Sequence, residues 1–400
     1  MYNQDNTADR GSPFLRFFMS RNLVRLSSIM FYIYYMWVLM VKYDSVFLVS
    51  LIPTLSLVGY LLVLIPEGYI LDRVSRERVM FFSSVAIVAV YLSLFISQKL
   101  IWIYLAAMLS SVFSSISSDA FFTLMKDIMK PSSMGRGMSL VEVGRGVSEV
   151  IGIILGGMSI ILLSKWFIPL IVFAGIASAA LSIPRAVKNK DIAHNKYGFT
   201  HVFKAIRIIL PFLIIGLIIN GLFVSLEVYA SGLFYQVLHA GPSYYTAFIL
   251  GYSAGGLGGG LLGIRISKKL ENPVFIAFSM AFFGLSFFLL SISRIPGADV
   301  LITVALGIVN SLANIPLMAY LVKIIPTEAM GRVNSVVTLF LASSSPVMAV
   351  AYGGIARFLP IPVVLLLISA LLAISSVPTY ISIKKLFKLT ENKMKEVMNS

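Results

Sequence analysis

Apolar stretches of bilayer length recur along the whole chain, separated by short polar breaks. A helix rises about 1.5 Å per residue, so roughly 17–25 apolar residues are needed to cross a hydrocarbon core of about 30 Å. Twelve segments approach or meet that length, at roughly 26–41, 45–66, 79–97, 101–125, 138–163, 167–183, 208–232, 246–264, 274–292, 300–322, 334–356 and 363–383. The pattern predicts an all-α integral membrane protein with twelve transmembrane helices. Little polypeptide is left over for a water-soluble domain.

Composition agrees, with 58% hydrophobic and only 12% charged residues, where a soluble domain carries about a quarter charged. The net charge of +15 would point to nucleic acid if it formed one patch, but it follows the spans instead. The terminal segments and the even-to-odd loops together hold 26 Lys and Arg, and the opposite loops hold only Lys42, Lys99, Lys165, Arg294 and Arg357. Positive residues stay on the cytoplasmic side, which predicts cytoplasmic termini, a multi-pass protein of the plasma membrane, and basic loops that meet anionic lipid rather than nucleic acid. Cysteine is absent and the three histidines are scattered, so disulfides, thiolate metal sites and thiol nucleophiles are excluded and no metal or other cofactor is expected. "FLRFFMSRNLVRL" interleaves Arg16, Arg21 and Arg25 with apolar residues. It reads as an interfacial lead-in to span 1 rather than as a cleavable signal peptide.

The polar stretch 184–207 divides the chain into an N-terminal six-helix bundle (1–183) and a C-terminal one (208–383), followed by a cytoplasmic tail (384–400). The two halves share a plan. "MGR" at Met134–Arg136 returns at Met330–Arg332, 196 residues later, and the pair Gly156–Gly157 returns at Gly353–Gly354, 197 residues later. "VSR" (Val74–Arg76) corresponds to "ISK" (Ile266–Lys268) at an offset of 192. Such ordered matches point to duplicated, pseudo-symmetric halves.

The segment "GYILDRVSRER", Gly68–Arg78, resembles the G-x-x-x-D-R-x-x-R signature between helices 2 and 3 of major facilitator superfamily transporters. "PTEAMGRVNSVV" and "LRFFMSRNLVRL" are similar to the drug- and siderophore-exporter branch of that superfamily. Ser75 stands where many members have Gly, Glu77 interrupts the second basic pair, Ile264 replaces the Asp in the second-half copy, and Ile153 replaces the proline of the exporters' span-5 element. The resemblance implies a contact that holds the halves together in one state, with Gly68, Asp72, Arg73, Arg76, Arg136 and Arg332 as its gate residues. In physical terms, Gly68 permits close approach of a neighbouring helix, and Asp72 suits the positive N-terminus of one. The arginines can reach lipid phosphate or acids of the facing half.

Span 5 carries the stretch "MSLVEVGRGVSEVIG". On a helix, Glu142, Arg145 and Glu149 fall within about 60° of one another, with Gly152 and Gly156 on the same face. Exposure of three charges to lipid would cost on the order of 8–10 kcal/mol, so the face must look onto a partner or water. Arg145 is placed to bridge both glutamates, at i−3 and i+4, which leaves one acid uncompensated. Two readings stay open: Glu149 takes up and releases a proton during transport, or the triad is a fixed staple between helices.

Other polar residues within spans extend the candidate set. Glu227 and, two turns away, Asn220 lie in span 7, which lines the cavity in the resembled family. Asp119 in span 4 is placed to pair with Arg145 or Lys126. Asn310 and Asn314 fit interhelical hydrogen bonds or a substrate cavity. In "YIYYMW" the aromatics suit the interfacial belt, and Tyr32 or Tyr35 can stack an aromatic or cationic substrate. The glycines of span 8 read as a close-packing helix, not a phosphate loop.

Together these features predict a secondary transporter, and not an enzyme, working by alternating access on a small apolar or amphipathic compound. Proton-coupled efflux by a monomer is the expected mode. An importer or facilitator of a small metabolite is the alternative. A membrane-embedded lipid-processing enzyme would need clustered Asp or His, which the spans lack.

Overall fold

The computed structural model describes residues 11–129, 134–184, 199–270, 273–324 and 330–398. Within them the chain forms twelve α-helices: α1 (Gly11–Tyr43), α2 (Val46–Arg73), α3 (Arg76–Ile96), α4 (Leu100–Ile128), α5 (Met134–Ile161) and α6 (Phe167–Leu181), then α7 (Phe199–Gly232), α8 (Pro242–Leu270), α9 (Pro273–Ile292), α10 (Pro296–Ile324), α11 (Met330–Ile355) and α12 (Ile361–Met398). A 3-10 turn, Ser164–Trp166, leads into α6, and a π turn, Leu233–Val237, ends α7. By length and apolarity alone, nine helices among the described residues qualify to cross a membrane. The fold is that of an all-α integral membrane protein.

The predicted spans all fall on helices, with three extensions. α1 begins at Gly11, so Arg16, Arg21 and Arg25 lie within the helix instead of in a lead-in. α7 begins at Phe199, inside the predicted linker, whose residues 185–198 lie outside those described. α12 continues to Met398, so the predicted tail is largely a helical extension of the last span. Polar side chains did not end these helices, because a helix that leaves the apolar layer can continue in water when its residues are good helix formers.

Contacts divide the chain into two compact units. The first holds residues Met1–Tyr43 and Leu51–Ile192, the second Asp44–Ser50 and Ala193–Ser400. In the first unit α1 packs on α4, α5 and α6, and α3 packs on α4 and α6. A fully buried serine cluster joins three of these helices: Ser178 Oγ lies 2.9 Å from both Ser20 Oγ and Ser84 Oγ. Each hydroxyl finds a partner there, as burial requires.

Arg76 at the start of α3 pairs with Asp127 near the end of α4 at 3.1 Å, with side chains only 6% and 10% exposed. This corrects the expectation that Arg76 serves the facing half or lipid: it fastens two helices of its own bundle. The turn between α2 and α3 places Arg76 at a helix start, beside the end of an antiparallel neighbour, where burial rewards a full charge partner.

The second unit repeats the pairing plan. α7 packs on α11, α9 on α12 and α8 on α10, matching α1 with α5, α3 with α6 and α2 with α4. The matched "MGR" elements both sit at helix starts, Met134 of α5 and Met330 of α11. α8 and α10 approach closely because α8 presents glycines to the backbone of α10: a Cβ on Gly259 would stand 2.5 Å from the Ile308 carbonyl oxygen. Tyr229 Oη donates to the Tyr352 carbonyl at 2.8 Å across α7 and α11. Asp44–Ser50 belongs to this unit through Arg357, whose guanidinium lies 3.9 Å over the Phe47 ring, and Gln236, whose Nε2 donates to Asp44 Oδ1 at 2.9 Å.

Two predictions follow for thermal unfolding in a fixed detergent. Gly259→Ala is expected to cost about 1–3 kcal/mol by overpacking, whereas Gly258→Ala, where a Cβ meets nothing within 4 Å, gains up to about 1 kcal/mol of helix propensity. Equal effects at the two positions would refute the close-packed seam. Removing either Arg76 or Asp127 alone is expected to cost about 3–5 kcal/mol, and the paired change Arg76→Met with Asp127→Leu to recover most of it.

Candidate functional site

The charged residues of the first unit gather along α1 and the helices that touch it. α5 lies close against α1 because Gly152 faces it: a Cβ there would stand 2.9 Å from Ile29 Cβ and 3.2 Å from the Leu26 carbonyl oxygen. The two helices run in parallel register, Gly152 opposite Leu26–Ile29 and Gly156 opposite Met30–Ile33. One turn before Gly152, the same register sets Glu149 against Arg25. Arg25 Nη2 donates to Glu149 Oε2 at 2.9 Å, and the side chains are 35% and 30% exposed.

Arg145 does not bridge both glutamates as its spacing predicts. Its Nε donates to Glu142 Oε2 at 2.8 Å, and the pair is more exposed than Arg25–Glu149, at 48% and 61%. Helical side chains lean toward the N-terminus, which favours the i−3 partner for Arg145. Glu149 is reached instead from α1. The acid that span 5 leaves uncompensated is thus neutralised by a cation of another helix.

Arg21, one turn before Arg25 on α1, is 8% exposed. Its Nε donates to Ser118 Oγ of α4 at 3.1 Å, and its guanidinium lies 4.8 Å from the Phe122 ring centre and 5.6 Å from that of Phe121. Arg25, Glu142, Arg145 and Asp119 lie within its electrostatic reach. Asp119 is not paired with Arg145, whose guanidinium goes to Glu142; the side chain of Lys126 lies outside the described residues. Asp119 faces the carboxyl of Glu67 on α2.

Sequence reasoning missed Glu67, and it placed Arg21 and Arg25 at the membrane surface. A signal for Glu67 was available: it is a lone acid between an apolar span and Gly68. For the arginines the signal was the i, i+4 spacing of Arg21 and Arg25 on an apolar helix, which puts both on one face.

The aromatic residues of α1 fall mostly in the core. Tyr35 is 1% exposed, enclosed by Phe31 at 4.8 Å and Phe167 at 5.6 Å between ring centres. Tyr34 stacks on Phe167 at 3.7 Å, and Trp37 is buried too. These three are buried within the bundle, because α1 is surrounded by α4, α5 and α6. Tyr32 is half-buried.

In the signature segment, Arg73 is exposed and lies 3.9 Å over the ring of Tyr69. Gly68 and Asp72 belong to α2, Arg136 to α5 and Arg332 to α11, and the side chains at these positions lie outside the described ones.

In the second unit Glu227 of α7 is exposed, with Tyr245 of α8 in electrostatic reach. Asn220 is also exposed, and its Nδ2 donates to the Gly216 carbonyl of its own helix at 2.9 Å. Asn310 Nδ2 donates to Tyr252 Oη at 3.0 Å and so links α10 to α8, while Asn314 Nδ2 donates to the Asn310 carbonyl at 2.9 Å. Among the described residues, no three His, Asp or Glu side chains come together to hold a metal ion.

The sequence profile of the Major Facilitator Superfamily matches residues 17–349. A bacterial homolog of the human lysosomal transporter Spinster, solved inward-facing and unoccupied, aligns with a TM-score of 0.66 at 13% identity, covering 96% of this chain and 97% of that one. The same type of homolog, inward-facing and occupied, aligns at 0.69 with 12% identity, covering 97% and 98%. An auto-inhibited POT family peptide transporter aligns at 0.71 with 9% identity, covering 94% and 97%. At these identities the likeness is one of fold. No curated protein matches the sequence significantly. By the profile match over most of its length, the chain belongs to the Major Facilitator Superfamily, and it carries the fold of that family's transporters.

Proposed function

We propose that this transporter exports a small amphipathic organic compound in exchange for protons, with the Arg25–Glu149 pair at the centre of coupling. The observation that carries the reading is the pair itself. It bridges α1 and α5 at 2.9 Å, and each side chain is about one-third exposed. A charge in an apolar span is stable only with a partner or water in reach, and each of these two has the other as its partner. A proton on Glu149 would cancel the attraction to Arg25 and loosen the ion pair that joins these two helices. Protonation would thereby become a movement of α1 against α5, the kind of two-state element that coupling requires.

Glu227, Asn220 and the half-buried Tyr32 are the further residues we assign to the transport path. The similarity of "PTEAMGRVNSVV" and "LRFFMSRNLVRL" to the exporter branch supports the direction, and the distribution of Lys and Arg supports cytoplasmic termini in a plasma membrane. The duplicated halves, joined by the segment 184–207, would rock about the substrate.

Flux of the amphipathic fluorescent cation ethidium into proteoliposomes under an imposed pH gradient tests this reading. Gradient-driven flux is expected to fall about 5- to 150-fold in Glu149→Gln, the range of a coupling worth about 1–3 kcal/mol, while exchange without a gradient persists. Unchanged gradient-driven flux would remove Glu149 from the mechanism. Wild-type transport indifferent to the gradient would favour a facilitator.

A further inference from the structure

α2 and α4 lie side by side in the first unit. Ser56 Oγ donates to the Ala107 carbonyl at 3.3 Å, and a Cβ on Gly59 would stand 2.5 Å from the Met108 carbonyl oxygen. Two turns beyond Gly59, this approach brings Glu67 against α4. Glu67 is 2% exposed. Ser115 Oγ donates to its Oε2 at 3.1 Å, and Asp119, one turn further along α4, faces it. The other oxygen, Oε1, finds no donor among the described residues.

An ionised carboxylate only accepts hydrogen bonds, so two of them cannot bond to each other unless one carries a proton. The surrounding groups do not relieve this. Arg21 of α1 is within electrostatic reach of Asp119, but its Nε is committed to Ser118, and Glu142 of α5 attracts it more strongly. Arg145 and Glu142 pair with each other, Arg25 pairs with Glu149, and Arg76 of α3 pairs with Asp127. Tyr60 of α2 is the remaining titratable group in reach of both acids. Among the described residues no cation forms an ion pair with Glu67 or Asp119.

We propose that Glu67 and Asp119 form a carboxyl–carboxylate pair that binds one proton between α2 and α4, a site separate from Arg25–Glu149. Ser115 donates to Glu67 Oε2, and Oε1 finds no other donor among the described residues. Glu67 directly precedes Gly68, so the state of this pair bears on the signature segment that follows it. That its proton is the one exchanged during export rests on the proton-coupled reading; that the pair binds a proton does not.

Infrared spectroscopy of the purified protein in lipid tests the site. At neutral pH the wild type is expected to show the carbonyl-stretch band of a protonated carboxylic acid, shifted in D2O and lost as the pH is raised. A component of that band should vanish in both Glu67→Gln and Asp119→Asn, where an amide N–H replaces the shared proton, and should persist in Glu149→Gln. A wild-type spectrum without the band overturns the proposal and requires no variant to fold. A band identical in wild type and both variants overturns it as well. Ethidium flux on the same preparations separates the two ideas: loss of the component with unchanged gradient-driven flux leaves the proton site standing and removes it from the export cycle.

Discussion

Hydrocarbon solvates charge poorly. A guanidinium or carboxylate at the centre of a bilayer costs about 2.5–3.5 kcal/mol even with some relaxation. This chain nevertheless carries Arg21, Arg25, Asp119, Glu142, Arg145 and Glu149 on helices that are otherwise apolar. The first unit meets the cost by pairing across helices. Arg25 meets Glu149, Arg21 reaches Ser118, and Arg76 meets Asp127. Each contact also fixes the register of one helix against another, so the need to neutralise charge and the need to define the bundle are met together.

Pairing at these distances requires backbones that come close, and small residues provide that. Gly152 seats α5 on α1 a turn from Glu149, and Gly59 seats α2 on α4 two turns from Glu67. In a membrane, where lipid tails are as apolar as leucine, van der Waals contact and interhelical hydrogen bonds drive association. The serine cluster Ser20, Ser84 and Ser178 does for α1, α3 and α6 what the ion pairs do for their neighbours. The glycine seams and the polar contacts are therefore one design: the first sets the distance at which the second becomes short.

The fold was legible in the sequence because its cause is one-dimensional. Apolar length fixes a span, and repeated elements such as the "MGR" pair mark the halves. The partners were not legible, because they depend on which helices touch. Glu149 has an arginine four residues away on its own helix, yet it pairs with Arg25, 124 residues distant. Arg76 looked like a loop cation and is buried against Asp127. Tyr34, Tyr35 and Trp37 were read for the depth that aromatics favour, and their burial follows from the central place of α1, which a single span does not reveal. Glu67 stood out in the sequence only as a lone acid between a span and Gly68; its partner, Asp119, lies on another helix.

The two units share a pairing plan and differ in what holds the pairs. In the first, α1 and α5 are joined by the Arg25–Glu149 ion pair. In the second, the equivalent helices α7 and α11 are joined by the Tyr229 hydroxyl donating to a carbonyl of Tyr352, with their rings 5.7 Å apart. A phenol–carbonyl bond keeps its proton throughout the physiological range. The α8–α10 seam is backbone against glycine, which no titration alters. Two bundles of one pairing plan are thus fastened by different chemistry, charge in the first and neutral hydrogen bonds with glycine packing in the second.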